Sequence, residues 1–169
     1  SPSISSVAVV GGGQMGSGIA EVCVRAGLDV IVHEISTDAA DRAIERVTSS
    51  MQRAVAKGKL TADEFDLAVE RLRASSDLSD LAPCDLVIEA IVEDELAKRD
   101  LFARLDQVLV KDDAILASNT SSIPIIKLAM ATSRPDKVIG IHFFNPVPVL
   151  RLVELVTSLL TGDETQQRA

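Results

Sequence analysis

His142 and Glu154, an imidazole followed twelve residues later by a carboxylate, are the pair in this chain best suited to moving a proton near neutral pH. An unperturbed imidazole titrates at about 6.5, so it can serve as a general base toward a hydroxyl. A carboxylate beside it fixes the tautomer and steadies the imidazolium. His142 lies in Gly140-Ile141-His142-Phe143-Phe144-Asn145-Pro146, and Glu154 ends Val147-Pro148-Val149-Leu150-Arg151-Leu152-Val153-Glu154. The two meet if the turn from Pro146 to Pro148 folds the second segment back beside the first. The competing reading is a packed strand histidine and a solvated glutamate. The Phe-Phe-Asn-Pro run and the glycine motif described next weigh against it.

Gly11-Gly12-Gly13-Gln14-Met15-Gly16 fits G-x-G-x-x-G, with Gly11, Gly13 and Gly16 at the fixed positions. The first glycine permits a tight turn, the second lets backbone approach a pyrophosphate, and the third allows close helix–strand packing. An apolar strand precedes the motif and an amphipathic helix follows, with its N–H groups aimed at the phosphates. Glu34 ends the next apolar run, eighteen residues beyond Gly16, where a carboxylate accepts hydrogen bonds from ribose hydroxyls. It also repels a 2′-phosphate, and Ile35-Ser36-Thr37 brings no arginine to receive one, so NAD is favoured over NADP. His33, beside Glu34, is expected to be a strand-end histidine with a solvated ring, turned away from Glu34 by strand alternation.

Two further clusters carry polar chemistry. Ser118-Asn119-Thr120-Ser121-Ser122 follows an apolar run; Ser121 or Ser122 either caps the next helix or holds a carbonyl or alcohol oxygen during hydride transfer. Ile88-Glu89-Ala90-Ile91-Val92-Glu93 is followed by Lys98. Glu93 and Lys98 are either an exposed pair at a helix start, worth ~0–1 kcal/mol, or neighbours of the nicotinamide ribose.

The elements that position these residues alternate. Apolar runs at 4–10, 28–32, 85–90, 114–117 and 137–143 read as buried strands, and helical periodicity covers 14–26, 37–57, 95–109 and 123–131. Thr61-Ala62-Asp63-Glu64 has capping-box spacing and starts a second helix directly after the long one, so residues 37–74 are expected to form an antiparallel arm projecting from the sheet. Near the end, Thr161 to Thr165 reads as a helix start. The predicted fold is α/β: a Rossmann-type, doubly wound, mainly parallel sheet with an inserted helical pair.

The 169 residues, 47% hydrophobic and 25% charged, suit one globular domain. A net charge of −8 and the absence of Trp and Tyr disfavour nucleic acid and anionic membranes as partners. Cys23 and Cys84 have no motif spacing and no third ligand, so no metal site is expected, and both are expected to be buried thiols in a reducing compartment, the cytoplasm.

Together these residues resemble the L-3-hydroxyacyl-CoA dehydrogenase family, most of all its short bacterial type. The resemblance covers the glycine loop with Met15, Glu34, the segment from Ile88 to Glu93 with Lys98, Ser118 to Ser122, and the block from His142 to Glu154. The Phe-Phe-Asn-Pro and Leu-Val-Glu elements of that last block are its most specific part. It implies reversible NAD-dependent oxidation of an (S)-3-hydroxyacyl-CoA, with 3-hydroxybutyryl-CoA as the expected substrate, to the 3-oxoacyl-CoA in fatty acid metabolism. By resemblance His142 is the base toward the 3-hydroxyl, Glu154 orients it, and Ser121 lies near the substrate oxygen and nicotinamide. Gln14, Met15, Glu93, Lys98, Ser121 and Asn145 become cofactor contacts, with Ile91 and Val92 contributing backbone; Ser121 and Asn145 are also assigned to substrate. The helical pair matches the family's arm that touches CoA, where Arg53, Lys57 and Lys59 form a basic contact for phosphates or, alternatively, a solvated helix end.

Family members continue into a C-terminal helical domain that closes over substrate, supplies an asparagine and forms the homodimer. The chain is therefore expected to be the NAD-binding domain, residues 1–169, of a longer protein, and a poor catalyst alone because its substrate stays open to water. The alternatives are a non-catalytic NAD(H)-binding protein of the crystallin kind and a dehydrogenase of a free sugar acid.

Overall fold

The computed structural model describes residues 3–144, 147, 148 and 153–169. Ser6–Val10 (β1) and Asp29–His33 (β2) are rich in valine and covered on both faces, the environment that selects near-continuous apolar strands. Gln14–Arg25 (α1) joins them. Thr37–Ala56 (α2) starts where the Ser36 hydroxyl accepts the Ala39 N–H. Ala62–Glu70 (α3) opens with the expected capping box, Thr61 and Glu64 each accepting the other's N–H. Then follow Leu72–Ser75 (β3), Leu86–Glu89 (β4), Glu95–Val108 (α4), Ile115–Ser118 (β5), Ile125–Ala129 (α5), Val138–Phe143 (β6), Val153–Val156 (β7) and Asp163–Arg168 (α6).

The strands form one sheet in the order β3-β2-β1-β4-β5-β6-β7. Neighbours from β3 to β6 pair in parallel, and β7 runs antiparallel to β6. Strand alternation divides the core. Val7, Val9, Val30 and Val32 pack with α1, α2 and α3 on one face, and Ala8, Val10, Val87 and Leu116 pack with α4 and α5 on the other. This is the doubly wound arrangement expected from the alternating pattern. Chain direction along the sheet reverses between β1 and β4, so a crevice opens at their carboxyl ends, where such sheets bind ligands.

Three local expectations are corrected. The helical pair does not project. Ala40, Ala43, Val47 and Met51 of α2 and Ala68 of α3 are buried, because the apolar stripe of α2 lies against α1 and the sheet. The pair also ends earlier than expected: Leu72–Ser75 is an edge strand, with Val30 opposite Leu72. Paired on one side only and half exposed, β3 carries Arg73 and Ala74 and shows no apolar signal. Finally, neither Ser121 nor Ser122 caps α5, which begins behind Pro124. Thr120 organises that turn instead, its hydroxyl oxygen accepting the N–H groups of Ser122 and Ile123.

The terminal α6, too short to be stable alone, is docked by the Thr165 hydroxyl donating to the Asp136 carbonyl at 2.7 Å. Both cysteines are buried, and burial pushes the Cys23 thiol up to about 12 and the Cys84 thiol up to about 11.

Candidate active site

The turn from β1 into α1 needs glycine at Gly11, Gly12 and Gly16, a Cβ on Gly12 falling 2.4 Å from the Ala43 Cβ, and leaves Gly13 open. Gly11 sits at φ +102, and a Cβ there would lie 2.6 Å from the Ala90 carbonyl oxygen. A Cβ on Gly16 would lie 1.7 Å from the Gly11 carbonyl oxygen, so the helix can approach the strand only without one. A Cβ on Gly13 would meet nothing within 4 Å. Folding does not demand that glycine; the space before it, at an α1 N-terminus with no side-chain cap, is where an anionic ligand would lie.

The peptide of Gly12 is held on both sides. Its N–H donates to Glu34 Oε1 at 2.6 Å, and its carbonyl accepts Arg46 Nη1 at 2.6 Å and the Ser17 hydroxyl at 2.9 Å. Glu34 thus stands at the loop, as expected. Ile35-Ser36-Thr37 brings no arginine, but Arg46, in the third turn of α2 and twelve residues past Glu34, reaches the loop through tertiary packing.

Beside Glu34 a cavity of about 420 Å³ is lined by Gly11, His33, Glu34, Ile35, Ile91 and Arg104, among others. Its size and its carboxylate suit the adenosine half of a dinucleotide. His33 departs from the solvated ring expected: it is half-buried, and its Nδ1 has no hydrogen-bond partner among the described residues. Burial pulls the imidazole below its ordinary value, against the upward pull of Glu34, Asp77 and Asp80.

A second cavity, about 290 Å³, is lined by Met15, Ala90, Ile91, Glu93, Lys98, Asn119, Ser121 and His142. Ile91 borders both cavities, and the glycine loop contributes Gly11 to the first and Met15 to the second. His142 comes from β6, and the antiparallel β7 sets Glu154 directly opposite it. The imidazole also packs against the Phe144 ring, centroid to centroid 4.7 Å. Asn119 Oδ1 accepts the Phe143 N–H, tying the loop after β5 to β6.

Glu93 organises that loop. Its carboxylate accepts the Thr120 hydroxyl at 2.9 Å, the Ser121 N–H at 3.0 Å and hydroxyl at 3.3 Å, and the Ser122 hydroxyl at 3.1 Å. Burial alone would raise its pKa; the Lys98 ammonium, the Ser121 N–H and the Thr120 hydroxyl outweigh that and hold it at about 2. The exposed-pair reading of Glu93 and Lys98 is overturned. Lys98 is only 2% exposed and its Nζ lies 2.8 Å from Glu93 and 3.1 Å from Glu89. Glu89, wholly buried, was not assigned a role from sequence, though a glutamate closing an otherwise apolar strand was the available signal.

The remaining expectations divide. Gln14 and Arg53 line a groove of about 590 Å³ between α1 and α2, with Arg42 and Arg46. Lys57 and Lys59 are exposed at the far end of α2 and are not part of that lining. Val92 is 76% exposed and borders neither nucleotide cavity. Asn145 lies outside the described residues. Among the described residues no group of His, Cys, Asp and Glu is arranged to hold a metal, and no helix is long and apolar enough to cross a membrane.

Comparison with known proteins agrees with this geometry. The family described as 3-hydroxyacyl-CoA dehydrogenase, NAD binding domain, matches residues 6–169. A 3-hydroxybutyryl-CoA dehydrogenase of Mycobacterium tuberculosis is 53% identical over 168 residues, covering 99% of this chain and 59% of its own length. One from Bradyrhizobium diazoefficiens is 47% identical, over 96% of this chain and 55% of its own length. Among solved structures, FadB2 of M. tuberculosis superposes with a TM-score of 0.96 at 53% identity, covering 99% of this chain and 59% of that one. The (S)-3-hydroxybutyryl-CoA dehydrogenase PaaH1 of Ralstonia eutropha gives 0.94 at 44% identity, over 98% of this chain and 58% of that one. The chain thus spans under three fifths of the length of these relatives. With a family model matching residues 6–169 and relatives at 53% identity, it belongs to the 3-hydroxyacyl-CoA dehydrogenase family, as an NAD-binding domain.

Proposed function

We propose that this chain is the cofactor-binding and proton-transferring part of an enzyme that interconverts (S)-3-hydroxyacyl-CoA and 3-oxoacyl-CoA, with 3-hydroxybutyryl-CoA as substrate. The observation that carries this is that β7 sets Glu154 opposite His142 in strand register, and that His142 lines a cavity with Ser121 and Lys98. Bound NAD⁺ supplies the acceptor for the hydride leaving the carbinol carbon. The His142 imidazole takes the hydroxyl proton as the carbonyl forms, and Glu154 steadies the imidazolium. The Ser121 backbone is anchored to Glu93 through its N–H, and the hydroxyl turns its proton from Glu93 to the substrate oxygen. Gly13, Gln14 and Met15 receive the pyrophosphate at the α1 N-terminus, and Glu34 takes the adenosine ribose, exchanging its bond to the Gly12 N–H for bonds to the hydroxyls.

The groove with Arg53 is our candidate for the CoA phosphates, with Lys57 and Lys59 extending positive charge along α2. We place the reaction in fatty acid metabolism. The two free, buried cysteines fit a reducing compartment such as the cytoplasm. Substrate closure and homodimerisation fall to the part of the relatives that these residues do not span. The test is NADH oxidation with acetoacetyl-CoA, comparing the 169-residue chain with a version extended to the relatives' full length. The extended protein should turn over and the short chain should be far slower; no turnover by the extended protein would sink the assignment.

A further inference from the structure

Glu89 closes β4 fully enclosed, and nothing in the proposed proton transfer uses it. It faces only donors: the Ile91 N–H at 2.9 Å, the Lys98 ammonium at 3.1 Å and the Ser118 hydroxyl. The Ser118 oxygen also accepts the Thr120 N–H at 3.2 Å. With an ammonium and a backbone N–H on its oxygens, Glu89 stands in its ordinary carboxylate form. Glu93 is in the same position. The Thr120 oxygen accepts two N–H groups and gives its proton to Glu93, alongside Lys98 and the donors of Ser121 and Ser122. Two carboxylates therefore share one ammonium, and the cluster keeps one net negative charge.

That charge is placed where it matters. Glu93 and Lys98 line the cavity of His142, while Glu89 stands behind them and does not reach it. With Glu34 and the adenosine cavity on one side of the glycine loop, the nicotinamide end falls in this one. The ring is cationic when oxidised and neutral when reduced. We propose that the Glu89–Lys98–Glu93 cluster makes this cavity discriminate between the two redox forms, holding the oxidised dinucleotide more tightly than an uncharged wall would. Glu89 is then a positioning residue, acting through Lys98 and through the field of the cluster and touching neither cofactor nor substrate. His142, the other ionisable side chain lining the cavity, works as a base only when neutral, so it does not cancel the charge.

The inference rests on the proposal that the nicotinamide occupies this cavity, and binding measurements separate the two. Dissociation constants for NAD⁺ and NADH are measured separately, by NADH fluorescence and competition, in the unaltered protein and in variants. Glu89→Gln removes the net charge and should shift the ratio of the two constants about tenfold in favour of NADH. Glu93→Gln makes the same charge change at a partly exposed side chain, and decides the matter should Glu89→Gln not fold. Glu89→Gln with Lys98→Met loses more contacts yet restores one negative charge, so the ratio should return to within about threefold of the original. A merely structural role predicts no such return. An unchanged ratio in both single variants, or no return in the double variant, overturns the inference. If the unaltered protein binds neither nucleotide, the dinucleotide reading itself has failed.

Discussion

His142 and Glu154 are direct partners across the antiparallel β6–β7 pair, flanked by Ile141 opposite Leu155 and Phe143 opposite Val153. Opposed residues of such a pair share a face, with Cβ atoms about 4.5–5.5 Å apart, so the carboxylate can follow the imidazole through a change of charge. Replacing the base should therefore abolish chemistry and leave cofactor binding intact. His142→Ala is expected to lower kcat about 10²–10⁴-fold in the full-length enzyme with NAD affinity unchanged. Steady-state rates beside a separate NAD titration check it; wild-type turnover would remove His142 from the mechanism.

The glycine loop offers a contrast within four residues. Gly13→Ala adds a methyl to open space at φ −70, so stability should move by less than about 0.5 kcal/mol while NAD affinity falls tenfold or more, about the effect of a methyl set against the pyrophosphate. Gly16→Ala drives a methyl into the Gly11 carbonyl and should cost about 2–4 kcal/mol. Urea unfolding paired with NAD titration reads both. Equal destabilisation by the two changes would show that Gly13 serves the fold.

Glu34 carries a different load. Its Oε1 already accepts the Gly12 N–H, so Glu34→Ala frees the loop as well as removing the ribose contact. NAD should bind about 10–100-fold more weakly, the range for one or two hydrogen bonds to a charged group. An unaltered affinity would discredit the contact.

The sequence made the doubly wound sheet legible because its central strands, buried on both faces, are unbroken apolar runs. The opposition of His142 and Glu154 was legible because the prolines between two apolar runs suggest a chain reversal. What escaped shows the limits of local pattern. β3 is a half-exposed edge strand reading Leu-Arg-Ala-Ser, so it lacks the burial that writes a strand into a sequence. Arg46 reaches Gly12 across thirty-four residues, and Lys98 reads as a surface lysine until Glu89 and Glu93 are seen closing over it. Both contacts are made by tertiary packing.

All three cations are exposed, but Arg53 lines the groove between α1 and α2, whereas Lys57 and Lys59 stand at the helix end outside that lining. If the groove takes the CoA phosphates, Arg53→Ala should raise KM for an acyl-CoA substrate about tenfold, and Lys57→Ala and Lys59→Ala should do less, as charges outside the groove screened by salt. None of the three should alter NAD affinity. Kinetics of the full-length enzyme at low and high salt separate them; equal, small effects from all three would return them to a solvated helix end.

Asp85 ties the start of β4 to the start of the chain. Its Oδ2 accepts the N–H groups of Ser5 at 2.9 Å and Ser6 at 3.1 Å, and Oδ1 accepts Lys111 Nζ at 2.6 Å. Burial by itself would raise its pKa; the Lys111 ammonium and the two N–H groups outweigh it and hold the carboxyl well below the usual carboxylate range. A carboxylate whose pKa is depressed by folding contributes stability that is complete above its unfolded pKa of about 4, and that stability drains away as pH falls below that value. Asp85→Asn, which loses the ion pair and half the acceptor capacity, should cost about 1–3 kcal/mol at pH ~7. Because the wild-type protein gives up the same interaction on protonation, the gap between the two should narrow steadily below pH ~4. Urea unfolding at neutral and acid pH measures the gap directly; a constant gap would mean that Asp85 stabilises the strand ends by packing, independently of its charge.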